Sequence, residues 1–191
     1  LDVAGDTQVL GYIGTFADVK VNIEYNPSLT SPVQQAGGGG AAGTGSNTNW
    51  ALTYSGVENL ALMAGMSKTN YTAAGEAEDT ERTAAIKYTM GAVTVGYQAS
   101  KIEDGTAGVA HESVEAYGVA FNVNDNLSVS VGQNNNTLKG MTDVTEESTG
   151  VQGAYTMGSA SVRVALNSAD NVGGVTGISD ENMEISLKLS F

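Results

Sequence analysis

Apolar and polar residues alternate one for one along much of the chain, most clearly at its end. From Met183 through Ile185, Leu187 and Leu189 to Phe191 every odd position is apolar, and the even positions between them are Glu184, Ser186, Lys188 and Ser190. The same pattern runs through Val19-Lys20-Val21-Asn22-Ile23-Glu24-Tyr25, Val93-Thr94-Val95-Gly96-Tyr97-Gln98 and Leu127-Ser128-Val129-Ser130-Val131, and Ser161 and Arg163 interleave with Val162 and Val164. Successive side chains of a strand point to opposite faces, so a period of two marks a strand with one apolar and one polar face. Helical spacing does not recur. The alternation predicts eleven strands, near 7–14, 18–26, 48–55, 59–67, 81–90, 93–102, 113–123, 127–135, 148–157, 160–168 and 182–191.

The connections between these strands come in two kinds that alternate strictly. Five are tight: Gly14 to Asp18, Ser55 to Asn59, Thr89 to Ala92, Asn124 to Asn126 and Thr156 to Ala160, where Gly, Asn and Asp supply turn conformations. Five are long: Asn26 to Asn47, Lys68 to Thr80, Glu103 to Glu112, Asn136 to Glu147 and Ala169 to Glu181. An antiparallel meander with hairpin turns at one end and loops at the other has this order, and transmembrane barrels have that asymmetry. A soluble β-sandwich alternates as well, so the aromatic residues must decide between them. Tyr54, Tyr88 and Tyr155 fall just before tight turns, Phe16 lies within one, Phe121 precedes one and Phe191 ends the chain. Trp50, Tyr25, Tyr97 and Tyr117 fall toward the other strand ends. Two aromatic rows at two heights favour a sheet that crosses a bilayer, since such rings settle at both lipid interfaces.

Composition narrows the function more than the fold. The 191 residues include 25 Gly, 2 Pro and no Cys, with 15% charged residues and a net charge of −13. The absence of Cys removes disulfide frameworks, thiol nucleophiles and Cys-ligated zinc. Eight Lys and Arg against 21 Asp and Glu form no basic patch, which argues against nucleic acid as a partner. No apolar run is long enough for a transmembrane helix, so a membrane reading requires a barrel.

The terminal alternation ending in Phe191, with Leu189, Leu187, Ile185 and Met183 at every second place before it, resembles the assembly signal of bacterial outer-membrane barrels. The hairpins Ala51–Leu62 and Tyr117–Val131 look like those of general diffusion porins of the alphaproteobacterial type. That resemblance implies an all-β, antiparallel up-and-down transmembrane barrel of sixteen strands. It also implies a homotrimer in the bacterial outer membrane, a water-filled channel for passive diffusion of small hydrophilic solutes and ions, and a third loop folded into the lumen. No enzymatic activity or cofactor is implied. Eleven strands are an odd number, whereas single-chain bacterial barrels have an even one, so the chain reads as one barrel domain over 1–191 that forms the carboxyl-terminal portion of a longer porin. The alternative is a non-conducting outer-membrane anchor or autotransporter-type barrel, or a surface adhesin.

If one face meets lipid, it carries Val21, Ile23, Leu52, Leu62, Val95, Tyr97, Val119, Val129, Val162, Val164, Leu187 and Leu189, with Phe16, Tyr54, Tyr88, Phe121, Tyr155 and Phe191 as interface aromatics. The opposite face lines the pore with Lys20, Asn22, Glu24, Lys87, Gln98, Asn122, Gln152, Arg163, Glu184 and Lys188, and with Ser130 among them. Charged residues in a pore wall set ion selectivity. Two thirds of the 21 carboxylates lie on or beside four long loops, from Glu76 and Glu78 through Glu112 and Glu146 to Asp180 and Glu181, offset only by Lys68, Arg82, Lys101 and Lys139. They read as an anionic rim; loop-bound Ca2+ fits such oxygen-rich loops, though no EF-hand spacing names a ligand. Gly38 to Gly43 has the letters of a dinucleotide fingerprint but no helix to follow, and reads as a loop. His111, Glu112 and Ser113 cannot face one site from a single strand, so His111 reads as a rim residue.

Overall fold

The computed structural model describes residues 9–27, 34–35, 38–39, 44–71, 77–105, 111–139 and 142–189. Its strands are β1 (Leu10–Phe16), β2 (Val19–Asn26), the two-residue β3 (Gln34–Gln35) and β4 (Gly38–Gly39), β5 (Thr44–Tyr54), β6 (Leu60–Tyr71) and β7 (Asp79–Met90). They continue with β8 (Val93–Glu103), β9 (His111–Asn122), β10 (Leu127–Lys139), β11 (Val144–Met157), β12 (Ala160–Asp170) and β13 (Ser179–Leu189). Eleven of them form one antiparallel sheet in sequence order, β1-β2-β5-β6-β7-β8-β9-β10-β11-β12-β13, and β3 pairs only with β4. All eleven predicted strands are present, but the strict alternation of short and long connections fails at one place, where β9–β10 and β10–β11 are each joined by four residues.

The differences lie at the strand ends. The first strand runs from Leu10 to Phe16, two residues further than the alternation suggested, so Phe16 closes a strand and the turn is Ala17-Asp18, with Ala17 at φ 50. On the loop side the strands outlast the apolar pattern. The expected loop from Asn136 to Glu147 is mostly ladder, because Asn136, Thr137 and Leu138 pair with Glu146, Thr145 and Val144. Hydropathy loses its alternation once both faces are wet, while the backbone ladder continues. Gly91 (φ 57) and Gly158 (φ 60) open the two shortest later turns in the left-handed region that two-residue hairpins require.

The register shows how the strands lean. Consecutive pairs bring Val19, at the turn end of β2, level with Tyr54, Leu62, Ile86, Tyr97, Tyr117, Gln133, Thr149, Ser168 and finally Glu181 of β13. The turn end of β13 is Leu189, eight residues beyond Glu181 and nine strand steps away from β2. That is about 0.9 residue per step, at ~3.3 Å per residue against ~4.8 Å between strands, a lean of roughly 30°. Closed transmembrane barrels need a tilt of about 35–45°, close to this value.

The sheet has no apolar interior. Ala165 (8% exposed) is the one buried apolar residue among those described, while Val95, Val119, Val131, Leu166, Ile185 and Leu187 stand 42 to 64% exposed. A soluble sandwich would bury such a face against a second sheet, and a contiguous apolar surface of this kind meets something other than water. Among the described residues β1 pairs only with β2 and β13 only with β12, so both are edges.

Candidate functional site

The register sorts the side chains into two faces that differ sharply. On one, Tyr25, Trp50, Met66, Tyr97, Tyr117, Val131, Leu166 and Met183 mark the loop-side limit of an apolar band. The limit follows the diagonal of the tilt from strand to strand. Toward the turns the band includes Leu52, Leu62, Ile86, Val95, Val119, Val129, Val162, Val164, Leu187 and Leu189. It is three or four alternate residues deep, roughly 15–20 Å tall between Cα atoms. Above it the same face turns polar, with Lys68, Arg82, Lys101, Glu103, Glu115 and Glu147. The cations there are paired: Lys68 with Glu78 at 2.7 Å, Arg82 with Glu103 at 3.2 Å, and Lys101 with Glu103.

Aromatic rings mark both borders of the band. Tyr54, Tyr88, Phe121 and Tyr155 lie toward the turns, with Phe16 at the end of β1 and stacked on Tyr12 at 6.4 Å. Tyr25, Trp50, Tyr97 and Tyr117 lie at the opposite border, where the Tyr97 hydroxyl donates to Glu115 Oε1 at 3.0 Å. A ring lying along apolar neighbours with its polar tip toward charge is the arrangement that a bilayer interface favours. Phe191 lies outside the described residues.

The other face is hydrophilic. The register places Lys20, Asn22, Glu24, Lys87, Gln98, Asn122, Gln152, Arg163, Glu184 and Lys188 on it together, with Ser130. It is the concave side: a hollow of ≈ 700 Å³ spans β6 to β13, bordered by Met63, Lys87, Gln98, Asn134, Asn167 and Asn182. Among the described residues Tyr71, at the loop end of β6, is the one aromatic on this face. Of its cations, Arg163 pairs with Glu184, while Lys20, Lys87 and Lys188 have no ion pair among the described residues. Gly96, Gly118, Gly132 and Gly150 stand level on four neighbouring strands, so the wall beside Lys87 is bare backbone. A Cβ on Gly150 would stand 2.9 Å from Asn167 Oδ1, and one on Gly118 would stand 3.1 Å from the Val131 carbonyl oxygen.

Several residues of this face were not singled out by sequence. Asn134, Ser148, Asn167 and Asn182 share the parity of the named residues and extend the wall with neutral amides and hydroxyls; Asn167 Nδ2 donates to Asn182 Oδ1 at 2.9 Å. Asp79, Glu81, Glu112, Glu146 and Asp180, read as loop-rim carboxylates, are strand residues on the concave face, where Tyr71 donates to Asp79 and Asn136 to Glu112. Their parity held the signal, but loop composition obscured it. At the loop end of β5 and β6, Asn47 is 7% exposed and its Nδ2 reaches Thr69 Oγ1 at 2.8 Å, Ser67 Oγ at 3.3 Å and the Lys68 carbonyl at 3.3 Å. No three metal-ligating side chains converge among the described residues.

The sequence model of the family described as "Gram-negative porin" matches residues 2–188. The chain belongs to that family. Its porin fold is shared with a porin refined at 1.8 Å resolution (16% identity, TM-score 0.73, covering 98% of this chain and 63% of that one). It is shared also with an anion-selective porin from Comamonas acidovorans (13% identity, TM-score 0.74, covering 96% and 59%). The chain therefore spans about three fifths of the length of these porins. No curated protein sequence matches it. Membership places this porin in the bacterial outer membrane and its fold among channel proteins rather than enzymes.

Proposed function

We propose that this porin segment forms the greater part of the wall of a water-filled channel through which small hydrophilic solutes and ions diffuse passively. The observation that carries the reading is the pairing of faces: a concave side of amides, hydroxyls and lysines behind an outer band of bare apolar side chains. On this reading the ten residues from Lys20 to Lys188 named above line the pore, and Tyr54, Tyr88, Phe121 and Tyr155 sit at the turn-side lipid interface with Phe16. Among the described residues, a wall of lysines, carboxylates and neutral amides with one aromatic suits passage of small ions better than a stacking track for one sugar. The two edge strands need partners, since an unpaired ladder in hydrocarbon costs several kcal/mol per group. Further strands of a longer polypeptide supply them most simply, and the assembly is a homotrimer. The test is conductance of the full-length protein in a planar bilayer. Stable ohmic steps are expected, and silence from correctly folded protein would refute the channel.

A further inference from the structure

The connection between β12 and β13 does not stand away from the barrel as a free loop. It doubles back across β11 to β10 on the concave side and is held there at three points. Asn171 Nδ2 donates to the Thr145 carbonyl at 2.9 Å, and the backbone N–H of Gly173 donates to Glu146 Oε2 at 2.7 Å. Gly174 lies so close to Leu138 that a Cβ there would stand 2.6 Å from Leu138 Cδ1. Leu138 and Glu146 both carry the parity of the hydrophilic face, through the pairs Glu112 with Leu138 and Asn136 with Glu146.

The local sequence is suited to this path. Asn171 (φ 56), Gly173 (φ 65), Gly174 (φ 73) and Gly177 (φ 84) all take left-handed conformations, which Gly and Asn adopt at least cost and which let eight residues reverse tightly. Asn171 Oδ1 accepts from the Gly177 N–H at 3.0 Å, so one side chain ties the turn both to itself and to β11. Gly at 174 is also what admits the leucine. The charge-assisted bond to Glu146 is the strongest kind available to a backbone N–H on a surface. Nothing in strand pairing requires this excursion, because other adjacent strands of the sheet, such as β7 and β8 or β11 and β12, are joined by two-residue turns.

We infer that residues 171–178 form a strap across the loop-side mouth of the channel and set its size limit there, apart from any loop that narrows it elsewhere. The inference rests on the concave face being the channel wall. The segment is a compact turn, with a 3-10 stretch at Val172–Gly174, and a packed layer of chain takes about 10 Å, so its seat on Glu146 and Leu138 removes part of the local opening. Val175, 55% exposed, lies in this segment two residues from Gly173, whose N–H binds Glu146 of the wall.

The chain has no Cys, so a single introduced thiol can be labelled uniquely in this region. In the full-length protein, V175C would be modified with a bulky polyethylene-glycol thiol reagent, and single-channel conductance compared before and after. The control is K139C, on the outer face at the loop end of β10. Conductance of V175C should fall by on the order of one third on labelling while K139C is unchanged. The variant N171G keeps the left-handed backbone but loses both side-chain bonds, and should admit larger neutral sugars in vesicle swelling. Labelled V175C channels that conduct as before, or N171G channels with an unaltered sugar cut-off, would overturn the strap while leaving the pore intact. Absence of channels in the unmodified protein would overturn the pore reading itself.

Discussion

A charge placed on β9 should report directly which face meets lipid. Val119 lies at the middle of the band on that strand, between Tyr117 and Phe121, and level with Val95 and Val131 on its neighbours. An arginine at mid-depth on a lipid-facing wall costs ~2–4 kcal/mol, which is a factor of about 30 to 900 in the folding equilibrium. Ala120 is the next residue and points the other way, level with Thr94 and Ser130, so A120R should stay within about 0.5 kcal/mol of the parent. Ser113 has the parity of Val119 but lies six residues toward the loops, level with Lys101 and Thr137. Six residues are ~20 Å along the strand and, with a lean of roughly 30°, about 17 Å of height, more than half the ~25 Å apolar band. S113R should therefore cost about 0–1 kcal/mol. Denaturant unfolding of the full-length protein from lipid vesicles measures all three. The series separates lipid from a protein core, which would not grade the penalty with height. Equal costs for V119R and A120R, or a penalty at Ser113 matching that at Val119, would refute the assignment of faces.

The remaining predictions concern selectivity and polar packing. Replacing Lys20, Lys87 and Lys188 together by Gln removes the three unpaired cations of the wall and should move the reversal potential toward cations at about 0.1 M salt, where charges act over ~10 Å. The shift should vanish near 1 M, where they act over ~3 Å; one that survives 1 M salt contradicts the mechanism. R163A should change stability by no more than about 1 kcal/mol, as for exposed ion pairs, yet leave Glu184 unpaired in the wall and raise cation preference in the same measurement. N47A removes three hydrogen bonds at a nearly buried position and should cost about 1–3 kcal/mol in the unfolding assay, whereas N134A on the open wall should cost little.

Most of the sheet was legible in the sequence because strand alternation is a local signal. Each Cβ points opposite to the last, so parity alone told Val119 from Ala120 and Arg163 from Val164 wherever one face is apolar. Tyr54, Tyr88 and Tyr155 could be set at one height because tight turns count residues from a fixed end. Where both faces are wet, parity carries no contrast. For that reason the ladders of Asn136, Thr137 and Leu138 with Glu146, Thr145 and Val144 look like loop in the sequence, and the carboxylates of Glu81, Glu112, Glu146 and Asp180 look like a rim. Contacts between residues distant along the chain belong to the tertiary structure alone. The Arg163–Glu184 pair depends on the diagonal offset of two strands, the lean of roughly 30° accumulates over nine register steps, and the turn from Asn171 to Ile178 finds Glu146 and Leu138 only after β10 and β11 are in place. Polarity along a strand decides its faces; what a loop touches depends on which strands end beside it.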